Sequence, residues 1–461
     1  MEVFRSISMK VIIVGLGKFG RKVLQFLSEE GHDIVVVDKD EEKIQTVVER
    51  YDVFGVCGNG VLAENLKEAG AESAELLIAV TPSDEQNVLC CMVAKSIGVK
   101  NTIARVRDPE YNDQADFMRE QFGIDRLLNP EKALAQEITR ILRFPSAEKI
   151  HSFADGKVEI VETKLSSLSP LIGKKLSEIS GKDKKFSVLF AAIERKGEII
   201  VPNGETALEA GDIVSLCAKH NDLYDFLKSQ GQLKKKVQCV MILGADRMAY
   251  YLAKDLVKYG IPVKIISPHK EKCEAIASAM SGVTIVCDDF TDKDVLEGEG
   301  LADAGAVVAM TAHDENNIMI SLFAKQKNVE KTVTVLRNES YHGIIDSLFL
   351  DSVISPYQVV AEDCVRYFRS VSVPEGSRIA ALYKIAGEKA EAIQFNVNAH
   401  KAFSDRAIRD IRLRSGVLIT AIIRGKTMVI PTGDTVVEKD DSMIVICKQG
   451  SVVSSLDDIL R

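Results

Sequence analysis

Residues 11–20, which read VIIVGLGKFG, decide the fold of this chain. An apolar β-branched run is followed by Gly15, Gly17 and Gly20 in the spacing GxGxxG, and then by a pattern typical of an amphipathic helix. A second strand-like run, DIVVVD, ends at the acidic residue Asp38. Strand, glycines, helix, strand and terminal acid in this order predict a dinucleotide-binding fingerprint.

Each position of this fingerprint has a physical reason. Gly15 permits the tight turn after the strand, Gly17 lets a pyrophosphate approach the backbone, and Gly20 lets the helix pack closely on the strand. The N-terminus of the helix offers free N–H groups to a phosphate. Asp38 would accept hydrogen bonds from the adenosine ribose, which favours NAD over NADP, although Lys39 weakens that preference. The alternative is a turn that serves packing alone, with Asp38 an exposed strand end.

A further candidate segment follows the fourth predicted strand. Ligands of parallel sheets bind outside the carboxyl ends of the strands, so Val80 and Thr81 would line the crevice. The following residues, TPSDEQN at 81–87, could instead only cap a helix, because Asp84 and Glu85 suit its positive first turn. The sequence leaves both interpretations open.

Two more pairs of residues are candidates at the same edge. Gly58 and Asn59 follow the third strand, where they would approach adenine or form a simple flexible turn. Arg105 and Arg107 share one face of the fifth strand by their period of two, where they would meet phosphate charge or form surface ion pairs.

The chain repeats itself at a nearly constant offset. VIIVGLGKFG at 11–20 matches VMILGADRMA at 240–249, and IAVTPSDEQN at 78–87 matches VAMTAHDENN at 308–317. The two offsets differ by a single residue, which indicates a tandem duplication.

The spacing of the hydrophobic residues changes partway along each copy, which indicates two different domains. Residues 9–130 alternate short apolar runs with helical patterns, which predicts a parallel sheet covered on both faces. Residues 150–220 carry strands separated by turn signals, with one short helix near 172–179. The predicted fold class is α/β, a tandem duplication of a doubly wound parallel-sheet Rossmann-like domain followed by a small β-rich α+β domain.

The boundaries between these domains also have sequence signals. Pro145 in the segment 144–146 ends a helix predicted from 131 to 143, and a lysine-rich linker at 231–236 joins the two copies. The predicted domain limits are 9–145, 146–231, 237–370 and 371–461.

The second copy departs from the fingerprint. Gly244 keeps the first glycine and Ala249 is tolerated at the third, but Asp246 stands where a pyrophosphate should come closest. Its carboxylate would clash with the phosphates by volume and by charge. Ser267 and Pro268 also replace the acid that would bind the ribose. We therefore expect only the first copy to bind a dinucleotide.

Composition excludes several classes of protein. The 461 residues are 46% hydrophobic and 27% charged, as in an ordinary soluble protein rather than a disordered chain. No apolar run approaches the roughly 18 residues of a membrane helix, and a net charge of −8 disfavours nucleic acid. The first residues lack an export pattern, and nine cysteines without a CxxC pair favour reduced thiols over disulfides or zinc. We expect a cytosolic protein without a transition-metal site.

With its duplicated order of domains, the chain resembles the Trk-type potassium-uptake regulatory proteins, the TrkA family. Members of this family have two RCK (KTN) units, each a TrkA-N domain followed by a TrkA-C domain. The resemblance covers essentially the full length. It is strongest in the segments VIIVGLGKFG, VTPSDEQN, IARVRDPEY, SPLIGKKLSEI and VPNGETALEAGDIV.

The resemblance implies a nucleotide site, a mode of assembly and a partner. The ligand would be NAD(H) or another adenine nucleotide such as ATP or ADP. The chain would form a homo-tetramer or homo-dimer, a cytosolic ring on the inner face of the membrane below a potassium-translocating membrane subunit. The matching site residues would be Gly15, Leu16, Gly17, Lys18, Phe19, Asp38, Val80, Thr81 and Arg105.

Two alternatives stay open. An NAD-dependent oxidoreductase would need an acid or base facing the nicotinamide, and the small domain offers only His151 and His220 near its edges. We therefore expect no enzyme, and an NADH oxidation assay with a panel of acceptors separates the two hypotheses. A ring regulator of a potassium exporter would have the same sequence features as a regulator of uptake.

Overall fold

The computed structural model describes most of the chain. The described residues are 9–29, 31–143, 149–154, 156–179, 187–230, 237–341, 350–371, 379–386, 389–398, 400–425, 427–448, 453 and 455–461. The helix end predicted at 144–146 and the linker predicted at 231–236 lie outside these residues.

The first domain is a parallel sheet with helices on both faces. Its strands are β1 (Lys10–Val14), β2 (Asp33–Asp38), β3 (Phe54–Cys57), β4 (Leu76–Ala79), β5 (Asn101–Arg105) and β6 (Arg126–Leu128). Their spatial order is β3-β2-β1-β4-β5-β6. The chain places β2 and β3 on one side of β1 and then returns to place β4 on the other side, so the strand order reverses between β1 and β4. Such a reversal opens a crevice at the carboxyl edge of the sheet.

The helices of this domain pack on opposite faces because successive strand residues alternate. Val11 and Ile13 belong to the core on the face of the first helix, whereas Ile12 and Val14 belong to the core on the other face. The helical pattern after the fifth strand forms two helices, which are separated at Gln114. The helices are α1 (Lys18–Glu29), α2 (Glu41–Arg50), α3 (Ala63–Glu68), α4 (Asp84–Ile97), α5 (Pro109–Asp113), α6 (Ala115–Phe122) and α7 (Pro130–Arg143).

The first small domain is built on an antiparallel sheet. Its strands are β7 (Lys149–Phe153), β8 (Val158–Lys164), β9 (Leu189–Arg195), β10 (Glu198–Ile200) and β11 (Ile213–Ala218), in the spatial order β10-β9-β11-β8-β7. Its helices are α8 (Leu176–Ile179) and α9 (His220–Ser229). The predicted short helix is confined to α8, and α9 was not predicted, although Leu223, Phe226 and Leu227 form its buried face.

The second Rossmann-like domain repeats the first sheet. Its strands β12 (Val240–Leu243), β13 (Val263–Ile266), β14 (Val283–Val286), β15 (Ala306–Ala309), β16 (Lys331–Val335) and β17 (Ser352–Ile354) run parallel in the order β14-β13-β12-β15-β16-β17. Its helices are α10 (Arg247–Lys258), α11 (Lys270–Ala279), α12 (Lys293–Gly298), α13 (Asp314–Gln326) and α14 (Pro356–Val371). The duplication of the parallel sheet is therefore complete.

The second small domain repeats the antiparallel sheet. Its strands are β18 (Ile379–Ile385), β19 (Ala390–Asn396), β20 (Arg406–Ala407), β21 (Val417–Arg424), β22 (Thr427–Val429), β23 (Val436–Val437) and β24 (Ser442–Lys448). Five of them form a sheet in the order β18-β19-β24-β21-β22, and β20 pairs with β23. The predicted fold class is confirmed. In the part of the chain that the structure describes, no helix is both long and apolar enough to cross a membrane.

The chain packs as two compact units that do not follow the order of the sequence. One unit contains Met1–Thr139 and Gln238–Phe368, and the other contains Arg140–Val237 and Arg369–Arg461. The two Rossmann-like domains therefore belong to one unit and the two small domains to the other. This grouping does not test the four predicted domain limits, which stay predictions.

In the first unit, α14 of the second Rossmann-like domain packs on the first domain. Arg126 donates two hydrogen bonds to the carboxylate of Asp363, both at 2.9 Å. The ring of Phe368 meets that of His32 edge-on, with 4.6 Å between their centroids. The residues of α14 in the core that also holds β1 and α1 are Val360, Ala361, Cys364, Val365 and Phe368.

In the second unit, a reciprocal pair of hydrogen bonds joins the two small domains. Glu162 Oε1 accepts from the backbone N–H of Ala386, and Gln394 Oε1 accepts from that of Ala154, both at 3.2 Å. Ala154 and Ala386 follow the equivalent strands β7 and β18, and their φ angles are 49° and 51°. Equivalent residues thus meet equivalent residues, as at a twofold interface.

Phe368→Ala should lower the free energy of unfolding by about 3–5 kcal/mol, because it removes a fully buried ring from the core that two domains share. Denaturant unfolding measures the loss. Phe54→Ala is the control, because Phe54 is 58% exposed and its truncation should cost less than about 0.5 kcal/mol. Equal losses in the two variants would contradict the packing described for α14.

Candidate functional site

The glycine-rich turn connects β1 to α1. Gly15 has a φ of 102°, and a Cβ there would lie 3.0 Å from the backbone nitrogen of Thr81. A Cβ on Gly20 would lie 1.9 Å from the carbonyl oxygen of Gly15. A Cβ on Gly17 would meet nothing within 4 Å. The turn and the close helix packing are thus present, and the open face of Gly17 is where a pyrophosphate would have room.

The residues between these glycines divide into buried and exposed side chains. Leu16 and Phe19 are buried in the core beneath the turn, so their backbone groups rather than their side chains face the crevice. Lys18, the first residue of α1, is exposed beside Gly17. A cationic side chain and free helix N–H groups therefore lie next to the open face.

Asp38 ties the end of β2 to the glycine turn. Its Oδ2 accepts from the backbone N–H of Leu16 at 2.5 Å, and its Oδ1 accepts from that of Asp40 at 3.0 Å. A carboxylate has about four acceptor positions, so two remain for a ribose hydroxyl. Lys39 beside it is exposed. Asp38 therefore has a structural role that does not prevent the predicted ligand contact.

Gly58 and Asn59 form a turn next to Asp38 that is held by hydrogen bonds. The backbone N–H of Gly58 donates to the carbonyl of Asp38 at 2.8 Å. A Cβ on Gly58 would lie 2.4 Å from the side-chain nitrogen of Asn65, which donates to the carbonyl of Asn59 at 3.0 Å. The turn is thus fixed beside the edge of the crevice where a ribose would lie.

A buried amide joins the ends of β4 and β5. Asn87 is fully buried, and its Oδ1 accepts from the backbone N–H of Thr81 at 2.8 Å and from its hydroxyl at 2.7 Å. Its Nδ2 donates to the carbonyls of Thr81 at 3.1 Å and Arg105 at 2.9 Å. Val80 is also buried, against Gly20. The sequence analysis did not predict this positioning role of Asn87. The same residue type at the equivalent position of the second copy, Asn317, could have indicated it.

The two arginines reach back over the loop after β4. Arg105 Nη2 donates to the carbonyl of Thr81, and Arg107 Nη2 donates to that of Pro82 at 2.8 Å. Burial lowers the pKa of the Arg105 guanidinium, and the positive charge of Arg107 lowers it further. Both guanidinium groups keep further N–H donors that could bind a phosphate. Burial also raises the pKa of Glu131, at the start of α7.

The second domain repeats these backbone contacts, but its own Asp246 carboxylate occupies the helix N-terminus where an anion would bind. Asp246 Oδ1 accepts from the backbone N–H groups of Met248 at 3.0 Å and Ala249 at 3.2 Å. Its carboxylate thus caps α10 with the helix N–H groups that a phosphate would use. The buried Asn317 repeats the amide contact, accepting from the N–H of Thr311 at 2.8 Å.

Comparisons with known proteins agree with this architecture. The model of the TrkA-N domain matches residues 11–130 and 240–356, and that of the TrkA-C domain matches 160–231 and 392–459. The chain belongs to the TrkA family. The resemblance inferred from the sequence is therefore confirmed for both copies.

Relatives match this chain over nearly its full length. It is 33% identical over 454 residues to the Trk system potassium uptake protein TrkA homolog of Archaeoglobus fulgidus, covering 98% of this chain and 100% of that protein. It is 30% identical over 456 residues to the Trk system potassium uptake protein TrkA of Vibrio alginolyticus, covering 98% and 99%. The GsuK channel bound to NAD shares the fold, with a TM-score of 0.62 and 19% identity over 97% of this chain and 78% of that one.

Asn87→Ala and Asn317→Ala should each lower the free energy of unfolding by about 1–3 kcal/mol, because each leaves buried backbone groups without a partner. Denaturant unfolding of the full chain measures both losses. Gln86→Ala, an exposed neighbour on α4, should change the free energy by less than about 0.5 kcal/mol. A stable Asn87→Ala chain would show that the amide does not hold the two strand ends.

Proposed function

We propose that this chain is the regulatory subunit of a potassium uptake system and that its first Rossmann-like domain binds NAD(H) or another adenine nucleotide, such as ATP or ADP. The contrast between the two glycine turns carries the proposal. The first turn is open at Gly17, whereas the carboxylate of Asp246 occupies the second. The names of the relatives, Trk system potassium uptake proteins, support uptake rather than export.

The proposed site lies at the carboxyl edge of the first sheet. The pyrophosphate would lie over the glycine turn, the ribose against Asp38, and adenine beside the turn after β3. A solved relative of the same fold, the GsuK channel bound to NAD, supports this class of ligand. The proposed site residues are Gly15, Leu16, Gly17, Lys18, Phe19, Gly20, Asp38, Lys39, Gly58, Asn59, Val80, Thr81 and Arg105. We also propose domain limits at 9–145, 146–231, 237–370 and 371–461.

Calorimetric titration should give one NAD(H) per chain, because only the first glycine turn is open. Asp38→Ala should weaken binding by about 1.5–3 kcal/mol, the usual value of a hydrogen bond to a charged group. Ser267→Ala is the matched control in the second domain and should leave the affinity unchanged. Two equal sites per chain, or none, would refute the assignment.

We propose that nucleotide binding causes a movement of the protein and not a catalysed reaction. His151 and His220, the candidate bases of the small domain, are engaged by buried glutamates, with His151 Nε2 3.2 Å from Glu162 Oε1 and His220 Nδ1 3.0 Å from Glu159 Oε2. A histidine–carboxylate pair occurs in both classes of protein, and the names of the full-length relatives, Trk system potassium uptake proteins, favour a regulator over an oxidoreductase. The chain would form a homo-tetramer, or a dimer pairing its four units, on the inner face of the membrane below a potassium-translocating subunit.

In an assembled ring, each nucleotide site needs a smaller difference in affinity between the two states of the protein. Moving a two-state equilibrium from 1:99 to 99:1 takes about 5.5 kcal/mol of differential affinity. Shared by four equivalent sites in a concerted ring, the requirement is about 1.4 kcal/mol each, or roughly tenfold. One or two phosphate contacts supply a preference of that size.

Light scattering should therefore show a multimer, and potassium flux through the reconstituted partner should depend on the nucleotide. The Asp38→Ala chain, reconstituted at the same density, is the control that should lose this dependence. A stable monomer with and without nucleotide would refute the ring. Flux that is indifferent to nucleotide would refute the gating role.

A further inference from the structure

Two cysteines meet at the carboxyl edge of the second Rossmann-like sheet. Cys273 lies near the start of α11, and Cys287 directly follows β14. Ser267 contacts Cys273 and the residue before Cys287. Its carbonyl accepts from Cys273 Sγ at 3.4 Å, and its N–H donates to the carbonyl of Val286 at 3.1 Å. The Cys287 thiol lies close enough to raise the pKa of the Cys273 thiol. They form a pair rather than two isolated residues.

The two thiols differ in their access to solvent. Cys273 is only 4% exposed, whereas Cys287 is exposed. Burial raises the pKa of the Cys273 thiol, and the neighbouring Cys287 raises it further. Cys273 is therefore shielded from solvent, while Cys287 is the thiol that a dissolved oxidant reaches first.

The pair lies where the second domain has lost its nucleotide contacts. Ser267 follows β13 at the position that Asp38 has at the end of β2, and Cys287 follows β14 as Cys57 ends β3. The equivalent helix of the first domain, α2, contains no cysteine. Cys57 is therefore an exposed thiol in the same strand position without a cysteine on the neighbouring helix.

We propose that Cys273 and Cys287 form a dithiol that reacts with peroxide and closes to a reversible disulfide between α11 and the end of β14. Cys287, as thiolate, attacks one peroxide oxygen and the O–O bond breaks. This gives a sulfenic acid on Cys287, and hydroxide leaves and takes up a proton. The sulfur of Cys273 then attacks that of Cys287, the S–O bond breaks, and a second water leaves with the proton of Cys273. In total, two thiols and one hydrogen peroxide give one disulfide and two waters, and a dithiol reductant reverses the change.

The surroundings favour this pairing over other cysteine products. Of the nine cysteines, all of which lie among the described residues, Cys57 and Cys287 are the exposed ones. Cys287 has a second thiol beside it, across Ser267, to resolve its sulfenic acid. Cys57 Sγ instead has the carbonyl of Lys39 as its neighbour at 3.9 Å. The same oxidant should therefore give a disulfide at one position and a sulfenic acid at the other.

The test is peptide mapping of the full reduced chain after brief exposure to dilute hydrogen peroxide and alkylation of the remaining thiols. Cys273 and Cys287 should lose alkylation together and appear as one cross-linked peptide pair, and dithiothreitol should restore both. The Cys57→Ser chain should give the same cross-link. The Cys273→Ser chain should leave Cys287 as a sulfenic acid that a dimedone probe captures, as Cys57 is in the wild type.

Three outcomes would overturn the proposal. Cys287 could oxidise to sulfenic or sulfinic acid while Cys273 remains open to alkylation. Cys287 could instead form its disulfide with Cys57 or with a second chain. Peroxide could also oxidise Cys57 and leave Cys287 reduced. The wild-type cross-link alone decides the question if the Cys273→Ser chain fails to fold.

Discussion

The carboxyl edge of each Rossmann-like sheet depends on one buried amide. Asn87 satisfies both of its polar groups with backbone atoms from the ends of two neighbouring strands, and Asn317 does the same in the second copy. A buried polar group without a partner costs more than a normal hydrogen bond contributes, so neither amide is easily replaced. This amide and the Arg105 guanidinium together hold the backbone of Thr81, which we propose lines the crevice.

The two copies share the contacts that hold the sheet edge together but differ in the groups at the glycine turn. These contacts are the same in both, since Asp84 and Asp314 also repeat theirs, each accepting two backbone N–H bonds from the residues that follow the fifth strand. What differs is the charge over the glycine turn, where Asp246 supplies its own carboxylate to α10. A helix N-terminus favours an anion there, and the second copy meets that preference within the chain.

Local patterns explain what the sequence could predict. The alternation of strands and helices, the glycine roles and the broken second fingerprint all depend on neighbouring residues, and the structure has the fold they imply. Helix α9 has a local signal, the apolar spacing of Leu223, Phe226 and Leu227, which the sequence prediction overlooked. The positioning role of Asn87 depends on strand ends that come together only in the folded sheet. Nor does any local period show that α14 packs on a domain more than 200 residues earlier, because that contact depends on the fold as a whole.

The position of α14 has a consequence for ancestry. The core around β1 and α1 is completed by a helix from the other copy, so a protein with a single copy would leave the part of this core that α14 covers exposed. Such a protein would have to borrow the helix from a second molecule. The reciprocal contacts of Glu162 and Gln394 have the same character, since each side chain accepts a hydrogen bond from the backbone of the other copy. The duplicated chain is thus organised like a dimer whose two halves are joined in one polypeptide.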